Sequence, residues 1–281
     1  MSKVLVTGAE GFIGKALVSK LKSGGYDTIG IGSGEGDISG GEPLNTFRSE
    51  EIKHVFHLAS KNYVPDSWTD PASFYRTNVL GTQQVLEFCK SRGAGLTYVS
   101  AYLYGIPAKL PIAESDNVRP NNPYAHTKYL AEQICEFYSR EFHVPVTIIR
   151  PFNVFGTGQR KDFLIPTIID QARTGEAIKV KDLSPKRDYV FIDDLVDALI
   201  RTIRKKENYN IYNIGSGYSL SVREIIDTIQ SVMKTAKPVE SEENVRKNEI
   251  PDVAADITKA AKELGWVPRT SFLEGIFKML K

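Results

Sequence analysis

The stretch Val4-Leu5-Val6-Thr7-Gly8-Ala9-Glu10-Gly11-Phe12-Ile13-Gly14 decides the fold class. A short β-branched apolar run feeds a glycine-spaced turn, which opens into a helical pattern with Ile13, Leu17 and Leu21 on one face. Buried strand, glycine turn and amphipathic helix, in that order, form the context that a dinucleotide-binding turn requires. Gly8 permits the tight turn, Gly11 lets the backbone approach a pyrophosphate, and Gly14 lets the helix pack close to its strand. The free N–H groups at the helix start, where Phe12 and Ile13 lie, supply positive potential.

Outward from this turn, strand candidates alternate with helical patterns. The strands are Val4 to Thr7, Thr28 to Ile31, His54 to Leu58, Leu96 to Ser100 and Val146 to Arg150. Between them a long helix opens at Asp70-Pro71 and runs to about Ser91, and another runs from Pro123 to about Phe142. This alternation predicts an α/β fold of Rossmann type, a doubly wound parallel sheet with its ligand crevice beyond the carboxyl ends of the strands. After Arg150 the elements shorten and Pro, Gly and charge increase, so a smaller C-terminal substrate-binding lobe is expected there. A helix from Asp193 to about Lys206 and a strand Tyr209 to Ile214 look able to rejoin the sheet. The expected division is a dinucleotide-binding domain over 1–155, rejoined by 188–215, with 156–187 and 216–281 forming the substrate lobe. Helices near Val222 to Lys234, Ile257 to Leu264 and Phe272 to Leu280 complete that lobe.

Composition excludes several classes. The net charge of +2 comes from 36 basic and 34 acidic residues interspersed along the chain, so no polyanion-binding field is built and nucleic acid is not an expected partner. No apolar stretch approaches the roughly 18 residues of a membrane span. Met1, Ser2 and Lys3 lead straight into the first strand, and Cys89 and Cys135 lie in helical apolar patterns without metal or redox spacing. A cytoplasmic protein with two reduced core cysteines and no metal is expected.

The end of the second strand reads Gly30-Ile31-Gly32-Ser33-Gly34, without the acidic residue that commonly holds the adenosine ribose of NAD. Removing that carboxylate removes its repulsion of a 2′-phosphate, which places NADP ahead of NAD. NAD stays open, because no arginine follows immediately and Glu35 is close. Ser33 and the pair Asp37-Ile38 are the candidate contacts to the adenosine end, with a polar loop the alternative for the pair.

Tyr124 and Lys128 stand four residues apart, hence one above the other on a helix face. A free tyrosine has a pKa of about 10, and nearby positive charge from Lys128 and an oxidised nicotinamide is expected to lower it, so that the phenolate can take a proton as hydride leaves. Ser100 ends a strand, which puts its hydroxyl at the sheet's carboxyl edge. His57 sits among Val55, Phe56 and Leu58 and reads as a packed, structurally bonded histidine rather than a base.

With these motifs in hand, the chain closely resembles the extended short-chain dehydrogenases of the NAD-dependent epimerase/dehydratase family, which act on nucleoside-diphosphate sugars. The resemblance rests on Thr7 through Gly14, His57-Leu58-Ala59, Asn78-Val79-Leu80-Gly81-Thr82, Ser100 through Gly105, and Pro123-Tyr124 through Lys128. It continues through Arg150-Pro151-Phe152-Asn153-Val154-Phe155-Gly156, Arg187-Asp188-Tyr189-Val190, Asn213-Ile214-Gly215, and Arg246 with Asp256 to Ala260. It implies that Leu58, Ala59, Ser60, Asn78 and Pro151 line the dinucleotide and that Lys128 also holds the nicotinamide ribose. It implies that Asn153, Arg187 and Arg246 meet the substrate diphosphate, a role suited to arginine's forked donors, with Ser67, Ser100, Tyr102 and Leu164 as further substrate contacts. A homodimer packed through the helices at 71–91 and 123–142 is likewise implied.

Two departures narrow the activity. Family 4,6-dehydratases carry an acidic pair, or at least a glutamate, after the strand-end Ser or Thr, whereas here Ala101 and Tyr102 follow Ser100. Dehydration is therefore disfavoured. The segment between the second strand and His54 is short, as in compact 4-ketoreductases of deoxysugar pathways. The expected function is hydride transfer at C4 of a nucleoside-diphosphate hexose, foremost as an epimerase, with an NADPH-dependent 4-ketoreductase as the alternative. A non-catalytic dinucleotide sensor is the distant third, at odds with the retention of Tyr124, Lys128 and Ser100.

Overall fold

The computed structural model describes residues 3–205, 209–242 and 249–281. Its centre is a six-stranded sheet built from β1 (Lys3–Thr7), β2 (Asp27–Ile31), β3 (Ile52–His57), β4 (Gly95–Val99), β5 (Val146–Pro151) and the strand Tyr209–Ile214. In space the order is β2-β1-β3-β4-β5 and then Tyr209–Ile214. The pairs β1/β2, β1/β3, β3/β4 and β4/β5 are parallel. The Rossmann-type sheet is thus as expected, and its strand order reverses between β1 and β3, the place where such sheets bind ligands. Val4, Leu5, Val55, Phe56, Val146 and Ile148 are fully buried, as befits strands covered on both faces.

The chain forms two compact units. The first comprises Met1–Gly105, Asp116–Pro151 and Val196–Tyr212; the second comprises Ile106–Ser115, Phe152–Leu195 and Asn213–Lys281. The segment Ile106–Ser115, expected to belong to the first unit with its neighbours, belongs to the second.

In the first unit, α1 (Phe12–Ser23) buries Gly14, Leu17 and Leu21. The helix Pro123–Phe142 starts where the Asn122 side chain accepts the Ala125 N–H at 2.8 Å and Pro123 takes the first helical position. The expected long helix from Asp70 differs in one respect. Asp70 caps Pro71–Tyr75, a π-helical turn spans Arg76–Leu80, and α-helix resumes over Gly81–Arg92. The inserted residue changes the phase of the helix, and Asn78 lies buried within the turn.

In the second unit, Asn153–Phe155 pairs in parallel with Tyr189–Phe191. Phe155 packs against Phe191 and Phe272 with ring centroids 5.4 and 5.0 Å apart. Gly275 faces this nucleus: a Cβ there would stand 2.5 Å from Phe155 Cζ. The helices Val222–Met233 and Phe272–Leu280 each begin with a reciprocal cap, Ser221 with Glu224 and Ser271 with Glu274. A helix over Leu164–Thr174 lies in the stretch after Arg150 where Pro and Gly increase, and it was not among the expected elements. Pro166 falls in its first turn, where a missing N–H costs nothing, and Ile165, Ile168, Ile169 and Ala172 supply the buried face.

Candidate active site

The glycine turn lies where the carboxyl ends of β1 and β3 meet. Thr7 is in register with His57, the Leu58 N–H donates to Thr7 O at 3.1 Å, and the Ala59 N–H donates to Thr7 Oγ1 at 3.2 Å. Gly8 has φ +70°, and a Cβ there would come within 2.7 Å of Ala59 N. Only glycine allows that approach. Gly14 is bound as tightly, since its Cβ would fall 2.1 Å from Gly8 O. Gly11 caps α1, returns its N–H to Gly8 O at 3.0 Å and offers no capping side chain. Bare backbone and the uncapped first turn at Phe12 and Ile13 therefore make a cradle that suits a pyrophosphate.

A buried chain of hydrogen bonds leads away from this cradle. His57 Nδ1 meets Thr7 Oγ1 at 2.7 Å and its Nε2 meets Thr82 Oγ1 at 3.0 Å. The Thr82 hydroxyl donates to Asn78 O at 2.6 Å, so Nε2 carries the imidazole proton and Nδ1 accepts from Thr7. Both ring nitrogens are thus used by a neutral imidazole, and burial with Lys128 nearby holds the His57 pKa down to about 3. His57 is structural, not a base. Asn78 donates to Lys61 O at 3.0 Å and to Thr127 Oγ1 at 2.9 Å, and accepts the Lys61 N–H at 2.8 Å. Thr127 in turn donates to Tyr124 O at 2.7 Å.

On the helix Pro123–Phe142, Lys128 is buried and donates from Nζ to Val99 O at 2.6 Å, with Nζ 4.2 Å from the Tyr98 ring centroid. Burial lowers its pKa to about 7. Val99 is the last residue of β4, and Ser100 follows at the sheet edge, buried, its N–H on Ile149 O at 2.8 Å. The Ser100 Oγ is buried and takes no hydrogen bond from the described protein groups. Tyr124, half-buried, packs against the cluster of Ala101, Leu103 and Ala125 and lies edge-on to Phe74 at 6.5 Å. Its phenol is pushed up by desolvation, opposite to the lowering expected from Lys128. The reason is that the Lys128 ammonium is turned to Val99 O and is itself weakened by burial.

The remaining expected dinucleotide contacts divide. Leu58, Ala59 and Ser60 follow β3 at the cradle, and Pro151 ends β5. Ser33 lies exposed in the 3-10 turn Ser33–Glu35. Asp37 accepts the Ser39 N–H at 2.9 Å, and that bond holds its carboxyl below the usual range. Ile38 is buried in the core of the first unit, against Gly81. In the same unit Ser67 spends its hydroxyl on Val64 O at 2.6 Å, and Tyr102 donates to Gly105 O at 2.6 Å.

The profile of the NAD dependent epimerase/dehydratase family matches residues 4–215. The chain belongs to that family. It is 30% identical to the UDP-glucose 4-epimerase of Lactobacillus helveticus over 95% of this chain and 92% of that one. It is 28% identical to the GDP-6-deoxy-D-mannose reductase of Pseudomonas aeruginosa over 99% and 96%. The crystal structure of the UDP-glucose 4-epimerase of Brucella ovis in complex with NAD superposes with a TM-score of 0.91, at 28% identity, over 99% of this chain and 97% of that one.

Within this family member's second unit, Asn153 and Arg187 come together around Asp188. The Asn153 N–H and Nδ2 donate to Asp188 O at 2.9 and 3.2 Å, and Arg187 precedes Asp188 directly. Arg187 donates to Ile250 O at 2.6 Å and pairs with Glu249. Leu164 opens its helix, half-buried, and Arg246 lies outside the described residues. Two structural roles escaped the sequence reading. Asp188 is fully buried and accepts from Ser216 Oγ at 2.7 Å and from the Gly217 and Ala255 N–H groups, each at 3.0 Å. In the first unit, buried Glu132 holds Arg150 through Nε at 3.0 Å and Nη2 at 2.6 Å, and Arg150 Nη1 donates to Tyr104 OH at 2.8 Å. The signal for Glu132 was a carboxylate one turn beyond Lys128 on a face that must be buried.

Proposed function

We propose that this chain catalyses NAD(P)-dependent hydride transfer at C4 of a nucleoside-diphosphate sugar, as a nucleotide-sugar epimerase. The observation that carries the reading is the unpartnered, buried Ser100 Oγ at the end of β4, beside the strand carbonyl that anchors Lys128. Ser100 would donate to the C4 oxygen, and Tyr124 would exchange a proton with it. Burial keeps the Tyr124 phenol protonated in the chain alone, and positive charge from an oxidised nicotinamide bound nearby would favour the phenolate needed in the basic direction. Lys128 would hold the nicotinamide ribose, and Leu58, Ala59, Asn78 and Pro151 would line the pocket. Accepting hydride and returning it to the opposite face is the chemistry that a nicotinamide bound there supplies. Asn153 and Arg187, with Arg246, would take the sugar-linked diphosphate. Ala101 and Tyr102 provide no acid for eliminating water, which argues against a dehydratase.

The similarity to a GDP-6-deoxysugar reductase over nearly the full length favours a second reading, NADPH-dependent reduction of a 4-keto sugar. One experiment separates the two. Purified protein is assayed by absorbance at the nicotinamide band against a panel of nucleotide sugars and 4-keto derivatives, after its retained nucleotide is identified. Sugar interconversion with retained nucleotide and no net redox change is expected; stoichiometric NADPH consumption would replace epimerase by reductase. Tyr124→Phe is expected to abolish turnover with nucleotide binding kept, and unchanged turnover would overturn the mechanism.

A homodimer in the cytoplasm completes the proposal. Leu80, Phe137 and Phe142 are exposed on the helices that the family resemblance assigns to dimer contact, and light scattering of the purified chain tests it. Cys89 and Cys135 are buried free thiols, in keeping with a reducing compartment, and no described helix is long and apolar enough to cross a membrane.

A further inference from the structure

The end of β2 lacks an acidic side chain, yet a carboxylate stands where that side chain would be. Thr7 and Ile31 are in register across β1 and β2, and the Ala9 N–H donates to Ile31 O at 3.0 Å, which lays the glycine turn across the end of β2. The bare positions on β2 make room for it. A Cβ at Gly30 would stand 2.8 Å from Ala9 Cβ, and a Cβ at Gly32 would fall 2.4 Å from both Cδ and Oε2 of Glu10. The Glu10 carboxyl therefore fills the space that a side chain at position 32 would claim. A second carboxylate closes the same corner, since Glu35 Oε2 accepts the Gly32 N–H at 2.7 Å. Residues 32 to 42 contain Glu35, Asp37 and Glu42 and neither lysine nor arginine.

We infer that Glu10, reaching across from the glycine turn, replaces the missing strand-two acid as acceptor for the adenosine ribose hydroxyls, and that the chain selects NAD(H) over NADP(H). The inference rests on the dinucleotide reading proposed above. A carboxylate accepts two hydroxyl protons of a ribose diol, whereas a 2′-phosphate would face Glu10 and Glu35 with no cation in that loop to offset the repulsion. This reverses the lean toward NADP that a carboxylate-free strand end suggests, because the acid arrives from a residue distant in sequence.

The test is quenching of nicotinamide fluorescence on the full chain, titrated with NADH and with NADPH. NADH should bind at least about tenfold more tightly, the scale of one hydrogen bond to a charged group. In Glu10→Gln that ratio should shrink toward unity, through weaker NADH and stronger NADPH binding. The double variant Glu10→Ala with Gly32→Asp should restore the preference, the acid now coming from the strand itself. Equal or tighter binding of NADPH by the unaltered chain, or a ratio unmoved by Glu10→Gln, overturns the inference and leaves the proposed function standing. Binding of neither nucleotide overturns both.

Discussion

The two units each bury a carboxylate under their candidate residues, but they answer its charge differently. In the first, Glu132 faces the guanidinium of Arg150 through hydrogen bonds from Nε and Nη2, and Lys128 sits one helical turn away with its ammonium on Val99 O. In the second, no guanidinium meets Asp188 in the hydrogen bonds described: its oxygens take backbone N–H groups of Gly217 and Ala255 and the hydroxyl of Ser216. The first arrangement fixes side chains on a regular sheet and helix, whose backbone groups already satisfy one another. The second gathers loops, whose backbone donors would otherwise be stranded. A buried ion pair thus ties the helix carrying Lys128 to β5 here, and a buried carboxylate without such a partner organises irregular backbone.

The largest effect is expected at the ion pair. Glu132→Ala leaves the Arg150 charge buried and uncompensated and should cost about 3–5 kcal/mol in urea unfolding; a loss under 1 kcal/mol would mean that Arg150 finds water or another partner. Asp188→Ala should cost less, roughly 2–3 kcal/mol for donors left without acceptors. Its signature is local: hydrogen exchange should quicken at the amides of Gly217 and Ala255 and stay slow in β1 to β5. Uniform loss of protection would erase the distinction between the units.

The charge environment of Lys128 gives a smaller, pH-dependent effect. Its folded pKa of about 7 lies below the unfolded value near 10.4, so between them the unfolded chain binds more protons and stability rises with pH. Between pH 7 and 8 the nucleotide-free protein should gain up to about 1.4 kcal/mol, and Lys128→Met should flatten the slope. Above that window the buried thiols of Cys89 and Cys135, pushed up by burial, act in the opposite sense. The smallest effect is expected at the Arg187–Glu249 pair. Glu249→Gln should free Arg187 for a diphosphate and lower KM by roughly two- to fivefold, the scale of a partly exposed ion pair; a raised KM would make Glu249 a positioning residue for Arg187.

Much of the first unit was legible because its signals are local and periodic. The strands from Val4 to Arg150, the glycine turn and the helix at Pro123 each declare themselves within about twenty residues, and their order fixes the sheet. The helix Leu164–Thr174 was hidden by Pro166 and Gly175, although its isoleucines keep helical spacing. The π-turn at Arg76–Leu80 left no local trace, and the partners of Asn78 within it, Lys61 and Thr127, lie far off along the chain.

By itself, then, the sequence determined the Rossmann-type sheet, the backbone cradle at Gly8, Gly11 and Gly14, and the placing of Tyr124 and Lys128 one turn apart on a single helix, because propensity, glycine geometry and helical spacing act between near neighbours. Only the tertiary structure decided the protonation of His57, the raised phenol of Tyr124, the pairing of Glu132 with Arg150 and the reach of Glu10 to the end of β2. Those depend on burial and on distances between residues far apart in the chain, and a charge takes its free energy from the dielectric and the partners around it.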